Sequence, residues 1–294
     1  MPPVITRELA PLPERTLQAH KGDVGRLVVV GGCAAPVMMV GAPALVANAA
    51  YRSGVGLVQI ITPAEIQTTV AGLAPLATSR ALPRDAAAIV KDIEEYKADV
   101  LAIGPGLGDS ITPACLVDVL GRFAGPVVID ADGLNLLARA GVDQVAMIPN
   151  RARLILTPHP GEADRLLAAA GRRERVGASA AERQAAAVAL VEAYGGVVVL
   201  KGHESVVSDA QRVYINLTGN AGMATGGAGD VLTGIIAALV GQKMAVLEAA
   251  ILGVYLHGLA GDFAAEETGR HSLTAQDIID YLPDVFVEHA SIEL

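Results

Sequence analysis

Short runs of β-branched and aliphatic residues recur along the chain, separated by longer, alanine-rich stretches. The runs are Arg26–Val30 (RLVVV), Leu57–Thr62 (LVQIIT), 100–104 (VLAIG), 126–130 (PVVID), 153–157 (RLILT) and Val197–Leu200 (VVVL). They are almost wholly apolar, as strands buried on both faces of a parallel sheet must be. The pattern predicts helices between most of them, over residues 42–53, 112–123, 161–170 and 179–194. The last opens with Ser179 three positions before Glu182, a capping box. After Leu200 the rhythm changes. Residues 204–208 (ESVVS) and 212–216 (RVYIN), joined through 209–211, read as an antiparallel hairpin at one edge. Three more helices are expected, over 230–240, 245–267 and 274–289. This alternation predicts a doubly wound α/β fold with a mainly parallel central sheet, residues 1–294 forming a single domain.

Composition narrows the function. Lys plus Arg is 22 against 31 Asp plus Glu, a net charge of −9, which argues against nucleic acid or anionic lipid as the partner. Hydrophobic residues make up 52%, so the chain can bury a large core. Aromatics are 3% and Trp is absent, so that core is aliphatic. The two cysteines, Cys33 and Cys115, are too few for a disulfide framework and show no metal spacing. Residues 27–51 carry no charge and are long enough for a membrane span. Gly31, Gly32, Pro36, Gly41 and Pro43 interrupt them, so strand, turn and helix are expected there instead. The N-terminus lacks a basic segment followed by an apolar core, and a soluble cytoplasmic protein with no membrane contact is expected.

In an open parallel sheet, ligands bind beyond the carboxyl ends of the strands. Glycines and polar residues cluster there: Gly31-Gly32, residues 104–108 (GPGLG), 130–133 (DADG), 157–162 (TPHPGE) and 201–203 (KGH). The most informative segment is 218–230 (TGNAGMATGGAGD), which runs straight into an apolar helix. Its glycines let backbone approach a ligand closely. Free N–H groups of Gly227, Ala228 and Gly229 at the start of that helix would form an anion hole for a phosphoryl group in transit. Asp230, in the first turn, would take a proton from a hydroxyl that attacks phosphorus. The plainer alternative is that Asp230 only favours the helix N-terminus. Neither a Walker A loop nor a dinucleotide fingerprint is present.

These motifs resemble the ribokinase-like superfamily, and more narrowly the ADP-dependent NAD(P)H-hydrate dehydratase family. The matching stretches are 20–32, 41–58, 102–108, 127–137, 156–167 (LTPHPGEADRLL), 199–207 (VLKGHESVV) and 219–239. The resemblance implies a ribokinase-like three-layer α/β/α fold and a lyase. Its substrates would be NADHX and NADPHX, in which water has added across a ring double bond of the dihydronicotinamide. The ring hydroxyl would be phosphorylated from ADP, with ATP as the other donor, and phosphate then eliminated. Asp230 would be the base and would touch the hydrate together with Ala42, Gly106 and His159. Lys201, Gly202, His203, Glu204, Ser205 and Gly229 would bind the nucleotide. Ser205 stands where threonine is expected.

Glu162 is placed to act on Mg²⁺ through water, although His159 replaces the asparagine of the kinases' N-x-x-E motif. First-turn capping accounts for Glu162 equally well. Asp130 and Asp132 could orient a ribose or a water, or cap a helix. Tyr255 and His257, within an apolar helix, read as core or interface residues. The resemblance further implies a homotetramer, with any NAD(P)H-hydrate epimerase acting as a separate protein, since only residues 1–19 precede the match. The alternatives are a vitamin-type kinase of the same superfamily and a non-catalytic adenine-nucleotide-binding protein.

Overall fold

In the computed structural model, which describes residues 2–5 and 9–292, the apolar runs become neighbouring strands of one sheet. The strands are β1 (Val4–Ile5), β2 (Arg26–Val30), β3 (Leu57–Thr62), β4 (Thr78–Ala81), β5 (Val100–Ile103), β6 (Val127–Ile129), β7 (Leu154–Leu156), β8 (Val197–Leu200), β9 (Val206–Ser208) and β10 (Val213–Ile215). Their order is β1-β10-β9-β8-β7-β6-β5-β2-β3-β4. From β4 through β8 every pairing is parallel. Only β9 runs against its neighbours, β8 and β10. The hairpin therefore lies at the expected side of the sheet, with β1 added outside it in parallel with β10.

Helices cover both faces: α1 (Gly41–Arg52), α2 (Gln67–Leu73), α3 (Ala86–Glu95), α4 (Pro113–Arg122), α5 (Asp132–Ala140), α6 (Val142–Ala146), α7 (Pro160–Ala169), α8 (Ala180–Tyr194), α9 (Ala228–Gly241), α10 (Val246–Thr268) and α11 (Ala275–Ile292). Successive strand residues serve opposite cores, because side chains alternate across a strand. Leu27 and Val29 pack with α1, α9, α10 and α11, whereas Val28 and Val30 pack with α3, α4, α5, α7 and α8. Ser179 and Glu182 form the capping box of α8.

The uncharged stretch 27–51 resolves into β2, a loop and α1. Helix α10 is long and apolar enough to cross a membrane, yet 61% of its most apolar window is buried inside the fold, which makes it a core helix. Close approach of α9 to α1 depends on Gly234, where an added Cβ would lie 2.4 Å from the Val46 carbonyl oxygen. That packing brings the start of α9 to the carboxyl edge of the sheet.

Candidate functional site at the carboxyl edge of the sheet

Three elements meet at Asp130, the residue after β6. Its carboxylate is buried, and Oδ1 accepts hydrogen bonds from Lys201 Nζ at 2.6 Å and Thr157 Oγ1 at 2.8 Å. Oδ2 accepts from Thr233 Oγ1 at 2.9 Å. Thr157 follows β7, Lys201 follows β8, and Thr233 sits one turn into α9, so a single carboxylate ties two strand ends to the helix. Burial disfavours the Lys201 ammonium, but the carboxylates of Asp130, Glu162 and Asp230 outweigh it and hold the pKa above its ordinary value. Lys201 is a fixed cation at physiological pH.

Helix α9 begins beside that cation. Gly227 is its N-cap in the left-handed region, at φ 92°, and the Val231 N–H donates to the Gly227 carbonyl at 3.0 Å. The first amides of a helix have no partner within it and carry the positive end of its dipole. A Cβ added at Gly229 would lie 3.2 Å from Lys201 Nζ, so the glycine lets the amide end and the ammonium share one small space. Asp230 follows, half-buried. Burial and the negative charge of Asp130 push its carboxyl up to about 7; Lys201 pulls it down and Asp132 pushes it up. A carboxylate in that range can exchange a proton with an alcohol at neutral pH.

A cavity of about 660 Å³ opens next to this turn. Of the residues singled out from the sequence, His159, Lys201, Gly202, His203, Glu204, Ser205, Ala228 and Gly229 line it. The 201–205 loop is closed by one hydroxyl: Ser205 Oγ accepts from Gly202 N at 3.3 Å and donates to Gly202 O at 3.0 Å. His203 stands in solvent, its side chain 95% exposed. His159 caps α7, its Nδ1 accepting from the Gly161 and Glu162 amides, while Glu162 Oε2 accepts from the His159 N–H at 2.8 Å. The capping role of Glu162 is thus realised.

Gly227, Asp230, Ala42, Gly106 and Glu162 lie outside the lining of this cavity. Ala42 and Gly106 nevertheless meet one another: a Cβ added at Gly106, whose φ is 60°, would lie 3.1 Å from both Ala42 Cβ and Met39 Cβ. Gly227 is packed toward Leu45, one helical turn beyond Ala42. The first turn of α9 therefore stands between the cavity, on its Gly229 side, and the small-residue surface of Ala42 and Gly106, on its Gly227 side. Asp132 steadies the latter surface by accepting from the Gly108 N–H at 2.8 Å.

The sequence model for NAD(P)H-hydrate dehydratase matches residues 27–284. The chain belongs to the NAD(P)H-hydrate dehydratase family. It is 41% identical over 288 residues to the bifunctional NAD(P)H-hydrate repair enzyme of Moorella thermoacetica, covering 93% of this chain and 51% of that one. It spans about half the length of this and similar bifunctional relatives. With the ADP-dependent (S)-NAD(P)H-hydrate dehydratase of Neisseria meningitidis serogroup B it shares 38% identity over 260 residues, 87% of this chain and 82% of that one. Among solved structures it resembles the ADP/ATP-dependent NAD(P)H-hydrate dehydratase of Bacillus subtilis, co-crystallised with ATP and Mg²⁺, at a TM-score of 0.77 and 29% identity over 95% of each chain. Ribokinase from Cryptococcus neoformans, 15% identical with a TM-score of 0.57 over 87% of this chain and 99% of that one, shares the ribokinase-like fold alone.

Whether this edge of the sheet could hold a metal ion turns on which carboxylate oxygens remain. Among the described residues no three His, Cys, Asp or Glu side chains gather into a set that could hold a metal ion. Asp130 has both oxygens engaged and Glu162 has one on a backbone amide. An Mg²⁺ ion would therefore be held chiefly by nucleotide phosphates and water, as this hard cation commonly is.

Several residues of this dehydratase-family site were not legible as such in the sequence. Asp130 was legible as an acidic strand end that could orient a ribose or a water or cap a helix, but not as the partner of Lys201, and Thr157 and Thr233 lay inside matched stretches without being singled out. Thr233 falls three residues after Asp230, which places both on one helical face, the one available signal. Asp262 holds the glycine segment, accepting from the Gly219 N–H at 2.8 Å and Asn220 Nδ2 at 3.0 Å. His257, expected to be core or interface, lines the cavity.

Proposed function

We propose that the chain dehydrates (6S)-NADHX and NADPHX back to NADH and NADPH at the expense of ADP, giving AMP and phosphate. The observation that carries this reading is the first turn of α9. Its amide end faces a buried ammonium, and it bears a carboxyl whose pKa sits near 7, between a nucleotide-sized cavity and a surface of small residues. Membership in the dehydratase family and likeness to ADP-dependent relatives support ADP as donor, with ATP as a second.

In this reading ADP lies along Lys201, Gly202, His203, Glu204, Ser205 and Gly229, its terminal phosphate toward Lys201 and the amides of Gly227, Ala228 and Gly229. The hydrated ring rests against Ala42, Gly106 and His159. Asp230, ionised, accepts the proton of the ring hydroxyl as its oxygen bonds to the terminal phosphorus and AMP leaves. Charge gathering on the transferred phosphoryl group meets Lys201 and the amides that open α9, of which the Ala228 N–H must give up its 3.5 Å bond to the Thr225 carbonyl. Phosphate then leaves with the C–O bonding pair, and a proton lost from the neighbouring ring carbon restores the double bond. Phosphorylation is what makes the elimination feasible, because hydroxide is a poor leaving group. Mg²⁺, when bound with the nucleotide, would neutralise phosphate charge, with Glu162 reaching it through water.

The resemblance carries the remaining expectations: a cytoplasmic homotetramer, with an NAD(P)H-hydrate epimerase acting in the same pathway. Product analysis tests the reaction. Incubation with NADHX, ADP and Mg²⁺ is expected to give reduced nicotinamide, AMP and free phosphate in equal amounts. A stable phosphorylated organic product would instead point to a vitamin-type kinase, and nucleotide binding without product to a non-catalytic protein.

A further inference from the structure

Arg183, in the first turn of α8, meets the 201–205 loop without lining the cavity. Its Nη2 donates to the carbonyl oxygens of Leu200 at 3.5 Å and Lys201 at 3.4 Å. The guanidinium also fills the space beside Gly202: a Cβ added there, where φ is 143°, would lie 2.9 Å from Nη2 and 3.0 Å from Nη1. As a stabilising device this placement is poor. A cation in the first turn of a helix is opposed by the positive end of the dipole. Burial disfavours the charge and lowers the pKa, against the pull of Glu204. Nε is buried without a partner. Costs of this kind gather where a functional site needs them.

Lys201 is where the return falls. Asp130 holds its ammonium, the Pro158 carbonyl accepts from its N–H at 2.8 Å, and Arg183 takes its carbonyl. The loop that follows passes through two residues of positive φ, Gly202 and Glu204, the latter at 54°. A non-glycine residue keeps that conformation only when its surroundings over-determine it. A carbonyl oxygen turned into the cavity would also repel a phosphate, and the guanidinium draws two of them toward α8 instead. We propose that Arg183 is a positioning residue for the nucleotide: it holds the carbonyls of Leu200 and Lys201 on the α8 side and so presents Lys201 and the 201–205 loop to the phosphates of ADP. This rests on the reading that the cavity takes ADP. Arg183 acts through the loop and touches no ligand itself.

Calorimetric titration of ADP into the intact chain tests this with wild type, Arg183→Met and Arg183→Ala. The alanine variant is also titrated in low-millimolar guanidinium chloride, with sodium chloride at the same strength as control. Methionine and alanine are good helix formers, so α8 is expected to persist, and a cooperative melting curve confirms the fold of each variant. Arg183→Met is expected to bind ADP about tenfold more weakly than wild type. Guanidinium ion is expected to restore part of the affinity lost by Arg183→Ala, whose vacated site it fits, and to change neither wild type nor Arg183→Met, whose side chain fills that site. If both variants bind ADP within about twofold of wild type, the inference fails while the ADP reading stands. A loss that guanidinium ion does not relieve marks a merely structural strap between α8 and β8, and overturns the inference equally. If wild type binds no ADP, both fall.

Discussion

A carboxylate that takes a proton from an alcohol works best when its own pKa lies near the working pH. Asp230 reaches about 7 chiefly because the start of α9 is sunk beside Asp130. Turnover is therefore expected to rise with pH up to about 7 and then level, read from log kcat against pH, and Asp230→Asn is expected to abolish it while leaving ADP affinity within about twofold. The same shift has a stability consequence of fixed sign. Below the ordinary value of 3.8 the carboxyl is protonated folded or unfolded; between there and about 7 the folded chain keeps a proton that the unfolded chain has released. Stability from this group is thus lost as pH rises through that window. Urea denaturation at several pH values is expected to show the fall in wild type and a flatter profile in Asp230→Asn. Asp130 makes a second test. Asp130→Asn leaves the Lys201 ammonium without its charged partner, and a loss of about 3 kcal/mol is expected by urea denaturation. It also removes the charge that raises Asp230, so the acid limb of turnover moves to lower pH. Asp230 was legible in the sequence because glycines and a helix start surround it. The place of His257 in the cavity wall was not, since a histidine in an apolar helix looks the same whether it faces core or cavity.

At the scale of elements, glycines decide where α9 can sit. Gly234→Ala would drive a methyl group into the Val46 carbonyl and push α9 from α1, and a net loss of about 1–2 kcal/mol is expected after the gain in helix propensity. Gly227→Ala meets both Leu45 and an unfavourable positive φ, so it is expected to weaken ADP binding and to lower the melting temperature. Gly121→Ala, in α4 with open space around it, is the control and is expected to stabilise by up to about 1 kcal/mol. Melting curves of the three variants separate these outcomes. The central strands were legible because burial on both faces makes them continuously apolar. Strand β4 was not: its sequence, TSRA, lies mostly exposed at the sheet edge and carries no pattern. Strand β1 is two residues long and depends wholly on pairing with β10. Helices α2 and α3 were not legible either: α2 is seven residues long with only Val70 buried, and α3 is ten residues whose alanine-rich start runs into charged residues.

For the molecule as a whole, topology collects what the sequence scatters. Parallel strands place every loop of interest at one edge, so residues 42, 106, 130, 159, 201 and 229 converge although more than half the chain separates the first from the last. Motif reading located the loops. It did not reveal that Asp130 would join three of them, because that depends on β6 lying between β5 and β7. The reaction proposed for this edge couples phosphoryl transfer to loss of water. The direct measurement is recovery of reduced-nicotinamide absorbance from NADHX with ADP and Mg²⁺, wild type and Asp230→Asn run in parallel with ADP binding confirmed for each. Full recovery by wild type with one phosphate released per hydrate, and none by the variant, is the expected result. Recovery by Asp230→Asn at a rate within about tenfold of wild type would contradict it.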